Sequence, residues 1–235
     1  MKRIICFVFH DLVTECNLWE DTKYDTFMEF YKSTQALDME IIYSFDDGYT
    51  SLLRLYENGL VKNFSNFWIF PINNRIGKDG YLKWDEIKFL MSLGCKVGSH
   101  TYDHVDMLSL DRISLKKNLA KSKTEFQKKL GLKSVYLSAP YGSTNIFVNK
   151  VVSKTGFKGL FSSQPGFLHE KNFQLNRMSL NETTIGPFSK RFLKSQKFAI
   201  FFEVFKFNIF YFAKLIFGKN LYIKIRNFHF FKKSF

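Results

Sequence analysis

The sequence predicts a parallel α/β fold, and three observations predict it. Short apolar runs alternate with segments of helical period through residues 4–180. Most of the helical segments close on a glycine. Polar residues gather just beyond the apolar runs, at Asp46-Asp47, at His100 and at Pro140-Tyr141-Gly142. In a β/α barrel the C-terminal ends of the strands are where active sites are built.

Taken in order, residues 4–9 are an uninterrupted apolar run and read as a buried first strand. Residues 24–35 read as a helix with Phe27, Phe30 and Tyr31 on one side. Residues 40–45 read as a strand that runs into the turn Asp46-Asp47-Gly48. A helix over 50–58 stops at Gly59, and a strand follows at 66–71. The helix over 84–93 has Asp85 and Glu86 in its first turn, where the helix dipole favours acids, and Gly94 just past its end. Residues 95–99 form a strand ending at His100, and 110–130 a long polar helix closed by Gly131. A strand at 135–138, a helix at 145–155 closed by Gly156, and strands at 159–162 and 173–178 complete the series. Trp68 and Trp84 are expected in the core or a pocket wall, Tyr49 at the pocket edge, and Lys121 and Lys123 on a solvated helix face.

The chain has 235 residues, of which 46% are hydrophobic and 24% charged, with 13 Gly and 4 Pro. That profile excludes a disordered or collagen-like chain and leaves enough apolar residues for a sizeable core. The three cysteines, Cys6, Cys16 and Cys95, form no C-x-x-C pair. A disulfide framework or a cysteine-built zinc site is therefore not expected, and a reducing compartment is. The apolar run at 4–9 is too short for a signal-peptide core and meets His10-Asp11 at once, so the expected location is the cytoplasm.

The net charge of +14 is unevenly placed. Residues 188–235 carry eleven Lys and Arg against one acid, Glu203, and hold 14 of the 29 Phe. The chain divides on this basis into a domain over 1–187 and a basic, Phe-rich helical tail over 188–235. No aromatic-interleaved RNA motif occurs, so nucleic acid is not the expected partner. On a helix, Glu203, Lys206, Phe210 and Lys214 share one narrow face and the remainder of 198–217 is nearly all apolar. Three arrangements satisfy such a helix: lying in a membrane interface, packing on the protein's own core, or spanning a bilayer. Peripheral contact with the inner face of the cell membrane is the expectation carried forward.

His100 and His104 are spaced so that both imidazoles point the same way on a helical turn, a spacing suited to a metal. A third ligand is needed, and Asp46-Asp47 at a strand's mouth offers a carboxylate for the metal and a second one free as a base.

Three segments resemble one family in order. Ser44-Phe45-Asp46-Asp47-Gly48 resembles the T-F-D-D-G motif of the polysaccharide deacetylases, the NodB-homology family. The segment from Ser99 to His104 resembles its H-[S/T]-x-x-H motif, and Ala139-Pro140-Tyr141-Gly142 its R-x-P-Y-G motif. The resemblance covers roughly residues 1–180. It implies a distorted, incomplete (β/α)7-type barrel and a divalent metal, commonly zinc, with cobalt or nickel as alternatives, held by Asp47, His100 and His104. It implies Asp46 as general base, the Tyr141 N–H as oxyanion donor, and Pro140 and Gly142 in the substrate-binding turn. The implied reaction removes an N-acetyl or formyl group from an amino sugar.

Two positions depart from the family's pattern. Ser138 stands where the third motif has an arginine that orients the base. Arg177, in Leu175-Asn176-Arg177, stands where a later motif has the histidine that acts as general acid. His10 is the candidate replacement for that acid, with a structural hydrogen bond or a substrate contact as the alternative; similar members of the family carry a comparable early His-Asp. Asp11 either orients His10 or ends the strand, and Arg177 is the candidate for a substrate phosphate or carboxylate. His169 and His229 read as surface residues. The expected function is a cytoplasmic deacetylase of surface-glycan assembly acting on a nucleotide- or lipid-linked sugar. The alternative is an inactive glycan-binding scaffold tethered to the membrane by its tail.

Overall fold

The computed structural model describes residues 3–133 and 135–212. Strand β1 (Ile4–Phe9) is followed by the short pair β2 (Leu12–Val13) and β3 (Thr22–Lys23), helix α1 (Tyr24–Thr34), strand β4 (Glu40–Asp47) and helix α2 (Ser51–Glu57). Next come β5 (Phe67–Pro71), α3 (Trp84–Ser92), β6 (Lys96–Val97), α4 (Arg112–Leu130), β7 (Leu137–Ser138) and α5 (Ile146–Lys154). The series ends with β8 (Leu160–Phe161), β9 (Gln174–Leu175), β10 (Met178–Ser179) and α6 (Glu182–Lys194).

Five strands form one sheet in the order β10-β1-β4-β5-β6, and three form another in the order β7-β8-β9, with all named pairings parallel. A parallel bridge between Ser99 and Leu137 joins β6 to β7. At the other seam β9 and β10 are consecutive in the chain but pair into different sheets. The result is the expected distorted, incomplete barrel.

Alternation along the strands sorts the core. Ile5, Phe7 and Phe9 of β1, Ile41, Tyr43 and Phe45 of β4, and Phe67 and Ile69 of β5 face the helices. Cys6, Ile42, Trp68, Phe70, Phe161 and Leu175 fill the barrel interior. Ser44 and Asp46 share the parity of Ile42, so they also point inward, above that apolar plug.

The structure corrects the expected elements at three places. The strand expected over 173–178 is two strands in two sheets, because Asn176-Arg177 leave the ladder and the Arg177 N–H turns to Gln164 O. The long helix starts at Arg112 rather than 110, because Asp111 caps it, accepting from the N–H groups of Ile113 and Ser114. The division at 187/188 falls inside α6. Phe188 and Phe192 of that helix stand against Phe7 at ring-centroid distances of 5.5 Å. Edge-on aromatic pairs of this kind each contribute about 0.5–1.5 kcal/mol beyond burial. Ala199 and Ile200 are buried in the same core and Val204 packs against it, so the packed domain extends well beyond residue 187. Residues 213–235 of the expected tail, and His229 with them, lie outside the described residues.

Lys121 is exposed, as expected. Lys123 is not merely solvated: its Nζ donates to Thr155 O at 2.7 Å and Gly156 O at 3.3 Å, satisfying carbonyls at the end of α5. Tyr49 stacks on Tyr81, Trp68 lies in the barrel core, and Trp84 packs against Phe126.

Candidate active site

Asp46 and Asp47 end β4, not a turn beyond it. On a regular strand their side chains would point to opposite faces. Asp47 has φ 67°, which breaks the alternation and turns both carboxylates to the same mouth of the barrel. Gly48 follows with φ 85°, and a Cβ there would lie 2.7 Å from the Pro71 Cβ, so the motif's glycine is needed for close approach to β5.

His100 and His104 are not on a helical turn. His100 follows β6, its N–H donating to Pro71 O at 3.1 Å. Thr101 and His104 take φ 66° and 60°, and this left-handed loop brings the two rings to 4.9 Å. The loop is held from behind. Ser99 Oγ accepts from the Thr101 N–H and bonds the Ser122 hydroxyl of α4, which donates on to Asn73 Oδ1.

Asp47, His100 and His104 offer three ligand atoms that all lie within 4.8 Å of one another. Asp47 Oδ1 stands 3.5 Å from both His100 Nε2 and His104 Nε2, and it is buried without a hydrogen-bond partner. His100 Nδ1 meets Ser138 O at 3.0 Å. A carbonyl only accepts, so Nδ1 carries the proton and the Nε2 lone pair faces the cluster. Burial holds both imidazoles neutral: His100 is shifted below the usual histidine value, and His104 falls to about 4 through burial and then its neighbour His100. Two neutral imidazoles and an orphaned carboxylate oxygen, converging at one point, fit a divalent cation with two nitrogen ligands and one oxygen ligand.

Asp46 is built differently. Arg177 Nη1 donates to Oδ1 at 2.8 Å, Arg177 Nη2 to Oδ2 at 2.9 Å, and the Ser138 hydroxyl to Oδ2 at 2.9 Å. Burial alone raises the carboxyl's pKa. The Arg177 charge and its guanidinium hydrogen bonds outweigh that and hold it well below the usual carboxylate range.

This corrects the expectation for Arg177. Its side chain is fully buried. Its remaining bonds run from Nε to Ser162 O at 3.2 Å, from Nη1 to Ser44 Oγ at 3.2 Å and from Nη2 to Ser138 Oγ at 2.7 Å. A guanidinium has five N–H donors, and all five are used, so none is left for a substrate. Phe70 and Phe161 flank the guanidinium carbon at 5.5 and 5.8 Å. Arg177 thus holds the base aspartate from the last strands, and Ser138 adds a hydroxyl where the family's third motif would bring an arginine.

Tyr141 has φ 58° in the turn Pro140–Gly142, and its exposed ring stands 4.9 Å from the His104 ring. Pro140 is buried, and Gly142, at φ 64°, has Ser163 where a Cβ would lie, so these two shape the turn that presents Tyr141. Asp47, Thr101, His104 and Tyr141 are all the non-glycine residues with positive φ among the described residues. Each such conformation costs about 1–3 kcal/mol, and all four sit at this mouth.

His10, just past β1, is near enough to Asp46 for its charge to lower that carboxyl, and its Nδ1 is buried without a partner. Asp11 faces Ser51, which partly offsets the burial that raises its carboxyl, and the Ser51 hydroxyl in turn accepts from the Leu12 N–H at 3.2 Å. His169 is exposed, as expected.

Residues 35–160 match the family described as Polysaccharide deacetylase. The chain is 26% identical over 159 residues to YxkH of Bacillus subtilis (strain 168), whose name places it with the polysaccharide deacetylases. That match covers 67% of this chain and 57% of YxkH, so it spans little more than half of the curated relative. Among solved structures, the fold is similar to BC0361, a polysaccharide deacetylase from Bacillus cereus, with TM-score 0.69 and 17% identity over 80% of this chain and 68% of that one. It is also similar to IcaB from Ammonifex degensii, with TM-score 0.67 and 17% identity over 81% of this chain and 97% of that one.

Proposed function

The chain belongs to the polysaccharide deacetylase family, and from that premise we propose that it hydrolyses the N-acyl group of an acylated amino sugar. The observation that carries the proposal is one arrangement: a buried Asp46 carboxylate held by the Arg177 fork beside an Asp47–His100–His104 cluster that fits a divalent cation.

A zinc, cobalt or nickel ion held by Asp47, His100 and His104 would polarise the acyl oxygen and make water a better nucleophile. The protein's own groups do the rest. Asp46 Oδ1 accepts one hydrogen bond, from Arg177 Nη1, and its other lone pair receives the proton of the attacking water. Arg177 is a positioning residue for that carboxylate. The Tyr141 N–H donates to the developing oxyanion, and the Tyr141 ring walls the mouth beside His104. His10 delivers the proton that the departing amine needs, because Arg177 remains protonated and cannot.

The substrate of this reading is a nucleotide- or lipid-linked sugar of surface-glycan assembly, met at the cytoplasmic face of a membrane. The test is release of acetate or formate from acylated amino sugars by the full chain carrying zinc. Turnover by the unaltered protein and none by Asp46→Asn, with metal content equal in the two, is the expected result. Turnover that survives Asp46→Asn removes Asp46 as the base, and a metal-loaded protein that releases neither acid from any such sugar removes the reaction.

A further inference from the structure

Beyond α6 the chain is helical through residues 196–212. This helix is inverted relative to an ordinary surface helix. Its polar face turns to the domain: Glu203 accepts from Arg191 Nη2 of α6 at 3.0 Å and pairs with Lys206, while Ala199 and Ile200 are buried and Val204 packs on the core. Its outer face is apolar. Phe198, Phe201, Phe202, Phe205, Ile209 and Phe212 are 39–67% exposed. At 100° per residue these six fall within about 100° of arc, one continuous stripe along the helix.

A stripe of this kind facing water is unfavourable for an isolated molecule. What surrounds it identifies the occupant. Lys197 lies about 90° to one side of the stripe, placed to extend its ammonium group past an apolar surface into a layer of headgroups. Residues 188–235 carry eleven basic residues and a single acid, and that acid, Glu203, is paired twice. Among the described residues no helix is long and apolar enough to cross a membrane. A second copy of the chain would bring the same positive charge against itself.

We propose that the outward stripe of helix 196–212 seats in the interface of an anionic lipid bilayer, with Lys197 at its headgroups. The domain's contacts with the inner face of the helix then hold the catalytic domain against the membrane at a fixed angle, and not on a loose tether. This proposal stands independently of the reaction at Asp46.

The test is flotation of the full chain with vesicles of phosphatidylcholine alone or mixed with phosphatidylglycerol, beside its oligomeric state by light scattering. The unaltered protein is expected to float with the anionic vesicles, to be released by salt, and to stay with the aqueous phase when only phosphatidylcholine is offered. Phe201→Glu with Phe205→Glu is expected to cut vesicle partitioning at least about tenfold, the scale of leaving one phenylalanine in water. Lys197→Gln is expected to weaken binding to the anionic vesicles while circular dichroism stays unchanged. Equal binding to both vesicle types, or full binding by the Phe201→Glu/Phe205→Glu protein, overturns the proposal. So does a soluble dimer that the same two substitutions split, which would make the stripe a self-association face.

Discussion

Arg177 and Asp46, 131 residues apart in the chain, meet as a two-pronged ion pair at 2.8 and 2.9 Å inside the barrel. Removing the arginine leaves a buried carboxylate without its counter-charge. Loss of one partner from such a pair costs about 3–5 kcal/mol. Arg177→Met is therefore expected to lower the unfolding free energy measured in urea by that amount, and Asp46→Asn with Arg177→Met to recover part of it. Arg177→Lys supplies the charge without the fork, so it is expected to hold more stability than Arg177→Met and still lose most turnover. Additive losses in the Asp46→Asn/Arg177→Met pair would mean that the two residues do not act as one unit.

Ser138 and Arg177 share the work of holding Asp46, and the space between them is full. Ser138 is completely buried. Placing the family's motif arginine there, as Ser138→Arg, sets two guanidiniums against one carboxylate. That single change is expected to reduce the yield of folded protein sharply. Ser138→Arg combined with Arg177→His restores one cation per carboxylate and is expected to fold better than Ser138→Arg alone. Thermal unfolding of the two proteins, side by side, decides the matter.

Much of this site was legible because its parts are contiguous. Asp46 with Asp47, His100 with His104, and the turn around Tyr141 each carry their own local spacing, and the alternation of strand and helix places all three at one mouth. Arg177 was misassigned because its partner is two strands away, across β10 and β1. A signal was present: an arginine between Leu175 and Met178 in a strand pattern that holds no acid of its own has to be paired in space if that strand is buried. The left-handed backbone at Asp47, Thr101, His104 and Tyr141 had no such signal, since none of these is glycine and tertiary contacts impose the conformation. Helix α6 was hidden by composition. Its phenylalanines were counted with the tail, although Asn181 caps the helix and Ile185, Phe188 and Phe192 follow at helical spacing. In helix 196–212 the face of Glu203 and Lys206 was read correctly as the polar one, but only the structure shows that it turns inward, toward Arg191.

The orphaned Oδ1 of Asp47 makes a prediction about stability as well as chemistry. A cation that binds the folded cluster and not the unfolded chain stabilises by about 2.7 kcal/mol at a hundredfold excess over its dissociation constant. Zinc is expected to raise the melting temperature of the unaltered protein and to be retained at one ion per chain. Asp47→Asn and His104→Ala are each expected to lose both effects, and His100→Ala likewise. A melting temperature that rises equally in all four proteins would place the metal elsewhere.

The cysteines report on the core without touching the site. Cys6 is fully buried in the barrel interior, and burial pushes its thiol up to about 12; burial raises Cys95 further still. Cys16 is partly exposed, and burial raises its value too. A thiol reagent reacts with the thiolate, so both access and ionisation protect Cys6 and Cys95. In the folded protein at pH 8, Ellman's reagent is expected to label Cys16 alone, slowly, and all three cysteines in denaturant. Because Cys6 lies beneath the Arg177–Asp46 pair, with Arg177 and Ser44 the groups that partly offset its burial, Arg177→Met is expected to open it. A second thiol, identified as Cys6 by peptide mapping, then labels in the folded variant. Labelling confined to Cys16 in that variant would show that the pair does not hold the barrel interior closed.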